Sequence, residues 1–316
     1  MGGIFNLPEY YSDHYRAPGD FSPSGTATRL LMLGSGNPFP NPMRNGPVTA
    51  VIVNDTPYFV DAGEGIWRGI AKAAMTHPQQ LGQVLTLEKI KDLFLTHLHC
   101  DHTIGLPSFI LSPYKFDAPV AKTIYGPPGT TDMVSHIMQA YAVDLDGARV
   151  RSGHNDEGCR AMSVEVPCPG LFYEDENVKI EAFVAEHAPL DHCYAFRFTA
   201  KDRVIVVGGD GRYSESLVEA VKGADLFVAD VASEANLVHA PWGGSVEERA
   251  EVISRHHMLP RDLVRLQQQT GVKAIVTYHE QCFLRGENYY REALLDEIRQ
   301  AGMVAECHSS VDYDIF

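Results

Sequence analysis

The sequence predicts an α/β protein: two sheets packed face to face, with helices on their outer sides. Three observations predict it. From about residue 28, short apolar runs alternate with helical patterns, and the same rhythm returns in the second half of the chain. His97, His187, Asp210 and His279 each fall at or just past the C-terminal end of an apolar run, where open sheets collect ligand-binding groups. No sequence repeat links the halves, so their similarity is one of architecture.

Taken in order, residues 1–27 are rich in Gly, Pro, Ser and Tyr without periodicity and read as an N-terminal extension, with 28–316 as the folded domain. "TRLLMLG", "VTAVIV" and "PYFVDAG" have the apolar, β-branched character of strands, and "GIWRGIAKAAM" is an amphipathic helix. "KDLFLTH" is a buried strand running straight into a histidine cluster. Tyr125 to Asp132, "YGPPGTTD", is a turn leading into a helix capped by Thr or Asp. The second half supplies strands at "VKIEAFVAEH", "CYAFRFTA", "RVIVVGGD", "DLFVADV" and "KAIVTYHE", and helices at "SVEERAEVISRHH" and "PRDLVRLQQQTG". Gly34, Gly36 and Gly63 are turn formers; "GSG" alone is too little for a dinucleotide site.

Composition excludes several classes. Hydrophobic residues at 45% and charged residues at 21% are ordinary globular usage. A net charge of -15 repels a duplex or a tRNA, and the densest basic stretch, "ARVRSGHNDEGCR", is interleaved with acids. A small-molecule substrate is therefore expected, and nucleic acid is not. Cys100, Cys159, Cys168, Cys193, Cys282 and Cys307 show no CxxC spacing, which suits reduced thiols and a cytoplasmic location. No stretch approaches the length of a membrane span, and Asn6 stands where a myristoylation signal needs Ser or Thr, so no membrane association is expected.

"THLHCDH", Thr96 to His102, carries the chemistry. His97, His99, Asp101 and His102 have H-x-H-x-D-H spacing in a loop leaving a strand, where alternate residues can converge on one point and the Asp-His pair can turn toward a second. Imidazole and carboxylate suit Zn²⁺ and its neighbours. His187, Asp210 and His279 bring the set to seven. The expected arrangement places His97, His99 and His187 on one divalent cation and Asp101, His102 and His279 on another, with Asp210 bridging. Zinc is the first expectation, manganese or iron the alternatives. His192, near His187, competes for its place.

These motifs resemble the metallo-β-lactamase superfamily, in the branch of ribonuclease Z and the arylsulfatase-like and phosphodiesterase-like hydrolases. "LGSGNPFP", "FVDAGEG", "THLHCDH", and "HMLPRDLV" ahead of "VTYHE" carry the resemblance, over roughly residues 28 to 310. It implies a four-layer αββα sandwich with the site at one edge. It favours His187 over His192 by the distance to "CYAFRF", makes Asp61 a scaffold residue, and leaves Cys100 and Cys193 as packed thiols. The H-x-x-P pattern implies that His257 contacts the scissile group, with His256 at the surface.

The implied activity is dinuclear metal-dependent hydrolysis of a small ester, phosphodiester or sulfate ester by metal-bound hydroxide. Asp101 would take the proton of the water and His257 would serve the leaving group. The alternatives are a tRNA 3′-processing endoribonuclease and a metal-dependent oxygenase. Against the first, residues 142 to 178, where ribonuclease Z enzymes carry a basic tRNA-holding arm, hold more acids than bases. Against the second, the full ligand set suits a hydrolytic pair. Tyr10, Tyr11, Tyr15 and Phe21 of the extension, and His239 and Trp242 of "VHAPWGGS", lead to two further expectations. Either these segments cover the cleft, the extension reaching across a homodimer, or the extension packs on the back of its own sandwich.

Overall fold

The computed structural model describes residues 16–39, 41–151, 156–240, 243–282 and 287–316; Tyr10, Tyr11, Tyr15 and Trp242 lie outside them. One six-stranded sheet runs in the order β1 (Thr28–Gly34), β2 (Val48–Val53), β3 (Thr56–Val60), β4 (Asp92–Phe94), β5 (Lys122–Gly126), β6 (Ala161–Glu165). A seven-stranded sheet is formed by β7 (Gly170–Glu174), β8 (Val178–His187), β9 (Leu190–Ala200), β10 (Val204–Val207), β11 (Leu226–Ala232), β12 (Ala274–Gln281) and β13 (Glu306–Ser309), in the order β13-β12-β11-β10-β9-β8-β7.

Strand alternation explains the layers. In β1, Leu30 and Met32 face the other sheet, packing with Val207, Val228 and Tyr278, while Leu31 and Leu33 face outward onto Ile66, Ile70 and Phe109. On the second sheet, Phe227, Ala229 and Ile275 pack outward against Leu217, Leu263, Leu266 and Leu294. Inner strands such as β2, β11 and β12 are buried on both faces, which is why they read as near-continuous apolar runs. The layers are helix, sheet, sheet, helix, as the resemblance implies. Phe94 joins the sheets directly beneath the histidine loop, stacked on Tyr125 at 4.9 Å and edge-on to Phe196 at 6.2 Å and Phe198 at 6.0 Å.

Strand direction places the site. β3, β4 and β5 are mutually parallel, as are β10, β11 and β12, and β8 reaches the same sense through two antiparallel pairings. The residues that end or follow these strands therefore collect on one rim. β4 is shorter than "KDLFLTH" predicts. The Thr96 carbonyl accepts from the Tyr194 amide at 2.8 Å, so the backbone leaves its own ladder to join the other sheet. His279 sits within β12 rather than beyond it, at a register shift and with φ 49, a left-handed conformation that turns its side chain toward the rim.

Helix ends explain two further differences. Residues Val246–Ser254 form a helix opened by a Ser245–Glu248 capping box, and a second helix spans Pro260–Thr270 with its proline in the first turn. His256 and His257 thus lie in the linker between them, not in a helix. The helix Thr130–Ala140 has no cap from its own Thr or Asp. Glu165 of β6 caps it instead, accepting from the Gly129 amide at 2.9 Å and the Thr131 amide at 3.4 Å. No described helix is long and apolar enough to cross a membrane.

The C-terminal segment closes the edge of β1, with the Leu30 amide donating to the Phe316 carbonyl at 2.8 Å and the Met32 amide to the Asp314 carbonyl at 2.9 Å. The described part of the extension packs on that segment. Arg16 pairs with buried Asp314, the Phe21 amide donates to Ile315 at 2.7 Å, and the Phe21 ring stacks on Phe316 at 5.2 Å. Residues 16–27 thus lie on their own sandwich, and none of them lines the cleft described below. Arg16→Ala strips the buried Asp314 carboxylate of its cation and is expected to cost about 2 kcal/mol, read as a lowered midpoint in urea unfolding.

Candidate metal centre

Five strand ends deliver eight polar side chains to the rim. Asp61 follows β3, the loop after β4 carries His97, His99, Asp101 and His102, His187 ends β8, Asp210 follows β10, and His279 lies in β12. Asp230, near the end of β11, joins them.

The seven candidate ligands come together as two sets. In the first, His99 Nδ1 faces His97 Nε2 at 3.0 Å and His187 Nε2 at 3.2 Å. In the second, Asp101 Oδ2 lies 3.0 Å from His279 Nε2 and 3.6 Å from His102 Nε2. Asp210 stands between: its Oδ1 is 3.4 Å from His102 Nε2 and 3.4 Å from His279 Nδ1, and its Oδ2 is 3.9 Å from His187 Nε2. In each set, one donor atom per residue lies within 4.8 Å of the others.

The far side of several rings is already committed. His187 Nδ1 donates to the His256 carbonyl at 2.7 Å, and His102 Nδ1 to Asp61 Oδ2 at 2.8 Å, so both turn Nε2 inward. Asp61 also accepts from the Thr96 amide at 2.8 Å and the Thr96 hydroxyl, and it does so from a left-handed φ of 62. This is the scaffold role the resemblance implies. Asp61→Ala leaves the buried Thr96 amide unsatisfied and His102 unanchored; a loss of about 1–3 kcal/mol is expected in denaturation of metal-free protein.

Burial holds the His97 imidazole well below its usual range, lowers His99 and pushes His187 down to about 4, keeping all three neutral with lone pairs available. Burial opposes charge on His102 as well, but the Asp210 and Asp61 carboxylates outweigh it and hold this imidazole well above its usual range. Asp210 is the mirror case, its burial outweighed by His279 and His102.

The site passes a direct test of fit to a cation. His102 Nε2 and Asp210 Oδ1 are buried and take part in no hydrogen bond, a costly arrangement for polar atoms unless something else satisfies them. The inward-facing imidazole nitrogens and carboxylates around them form a donor set of the kind divalent first-row metals prefer.

Above this centre is a cavity of about 270 Å³, lined by Pro38, His99, Asp101, His257 and Gln281 among others. His257 Nδ1 contacts Asp230 Oδ2 at 2.5 Å, which leaves Nε2 as the ring atom available to the cleft. Burial raises Asp230 well above the carboxylate range, with Asp210 adding to it, and lowers His257, so the charged form of each is disfavoured. The sequence reading missed Asp230, although an acid near the end of apolar "DLFVADV" is the signal that identified Asp210. His256, expected at the surface, is half-buried and lines the cavity. His192 is exposed, in keeping with the choice of His187. Cys193 is buried as expected, but Cys100 is exposed: it opens the short helix Cys100–Thr103, whose inward turn is occupied by His102 and Thr103.

The family described as the beta-lactamase superfamily domain matches residues 56–279. Ribonuclease Z of Mycobacterium bovis (strain BCG / Pasteur 1173P2) is 27% identical over 255 residues, covering 79% of this chain and 85% of that protein. The crystal structure of the short form of human tRNase Z has a TM-score of 0.64 at 20% identity, covering 91% of this chain and 98% of that one. The metallo-beta-lactamase fold protein YhfI of Bacillus subtilis has a TM-score of 0.63 at 16% identity, covering 92% and 98%. Both solved structures share the fold of this chain.

Proposed function

Since the chain belongs to the beta-lactamase superfamily, we propose that it is a dinuclear metal-dependent hydrolase of small esters, phosphodiesters foremost. The observation that carries this reading is the position of Asp210, with one carboxylate oxygen toward His102 and His279 and the other toward His187. His97, His99 and His187 would hold one cation, Asp101, His102 and His279 the other, and Asp210 both. Zinc is the metal we expect. When bound, such a pair lowers the pKa of water and offsets charge on the scissile group.

The remaining work belongs to the side chains. Asp101, which lines the cleft, accepts the proton of the attacking water. His257, its tautomer set by the Asp230 carboxyl at Nδ1, donates from Nε2 to the leaving oxygen as the ester bond breaks, and the ring takes the carboxyl proton at Nδ1. A cavity of about 270 Å³ suits a small ester.

A second reading, tRNA 3′ processing, is favoured by the ribonuclease Z relatives and opposed by the net charge of -15. Metal-loaded protein offered bis(p-nitrophenyl) phosphate, p-nitrophenyl sulfate, p-nitrophenyl acetate and a 3′-extended tRNA separates the two. The expected result is fastest turnover of the small phosphodiester with the tRNA intact. Specific cleavage of the tRNA at its 3′ extension would favour the second reading, and inertness toward all four would overturn both.

A further inference from the structure

We propose that His256 is a substrate-contact residue whose Nε2 accepts a hydrogen bond from a hydroxyl on the alcohol or sugar part of the substrate. This rests on the hydrolytic reading of the same cleft and adds a preference to it. Four observations support it. His256 lines the cavity together with His99, Asp101 and His187. Its carbonyl accepts from His187 Nδ1 at 2.7 Å, which fixes its backbone relative to the metal centre. Its ring Nδ1 lies 2.6 Å from the Ala188 carbonyl, an acceptor, so Nδ1 must carry the proton and donate. In the neutral imidazole that leaves Nε2 as a lone pair, and no described protein group bonds to it.

The ring is also held in place. Its centroid is 5.9 Å from that of His187 and 6.3 Å from that of His257, so it stands beside both the metal-facing and the leaving-group-facing imidazoles without competing for either role. An acceptor fixed at the rim, with its own donor already committed, recognises a hydroxyl and is indifferent to an alkyl group of the same size. The competing role is structural: the Nδ1 contact ties the linker of His256 to the turn between β8 and β9.

Amide isosteres separate the two roles. His256→Asn places a donor near the Nδ1 position and keeps the tie to Ala188 while removing Nε2; His256→Gln places an acceptor near the Nε2 position and gives up the tie. The probes are 3-hydroxypropyl phosphate and propyl phosphate, bound to metal-loaded protein by calorimetry, together with turnover of their p-nitrophenyl diesters. The wild type and His256→Gln are expected to favour the hydroxylated ligand roughly 5-fold, the ordinary worth of one hydrogen bond, and His256→Asn to favour neither. Discrimination retained in His256→Asn, or absent from the wild type, overturns the proposal. Thermal midpoints show whether either variant has lost its fold. Should wild-type protein take up metal yet hydrolyse neither diester, the hydrolytic reading fails, and the calorimetric difference still decides the role of His256.

Discussion

Asp210→Ala is expected to lose metal from both positions and to lower hydrolysis by at least about 100-fold, since even residues that only support metal ligands cost 10–100-fold when removed. The magnitude follows from geometry. One carboxylate faces His102 and His279 through Oδ1 and His187 through Oδ2, so its loss opens both sets together. It also deprives the buried His102, whose charge Asp210 and Asp61 favour, of one of these two carboxylates. Metal analysis of protein purified without chelator, alongside circular dichroism to confirm the fold, checks the expectation. Retention of full metal content with intact fold would show that Asp210 is not the shared group.

The second large effect is expected at His257. His257→Ala should keep its metal but lose about 10²- to 10⁴-fold in turnover of esters with poor leaving groups, and far less with p-nitrophenyl esters, whose leaving oxygen needs no proton. Asp230→Asn should show the same selectivity in milder form, because it disturbs the tautomer of the ring without removing it. The measurement is a plot of kcat against leaving-group pKa for wild type and variants. A steeper dependence in the variants is the expected result; parallel lines would assign His257 a structural role.

Much of this centre was legible in the sequence because its residues announce themselves locally. "THLHCDH" follows a buried strand, and His187 and Asp210 interrupt apolar runs where nothing else explains them. The layers were legible for the same reason, since strands buried on both faces read as unbroken apolar runs. What escaped depends on tertiary contact. Asp230 acquires a role only because the linker between two helices brings His257 to within 2.5 Å, a distance no local pattern records. His256 reads as a surface residue until the turn after β8 supplies the Ala188 carbonyl. The cap on the helix Thr130–Ala140 comes from Glu165, more than thirty residues away, and so lay beyond any reading of its own N-terminus. β4 is cut short by a bond across the sandwich from Thr96 to Tyr194, which propensity cannot foresee.

In the proposed centre, two cations share Asp210. Crystals of protein loaded with zinc, measured at the zinc absorption edge, test it most directly. Two anomalous peaks are expected, about 3.5–4 Å apart as in two-metal hydrolytic sites, one among His97, His99 and His187 and the other among Asp101, His102 and His279, with an Asp210 oxygen between them. A single peak, or two peaks neither of which touches Asp210, would contradict it.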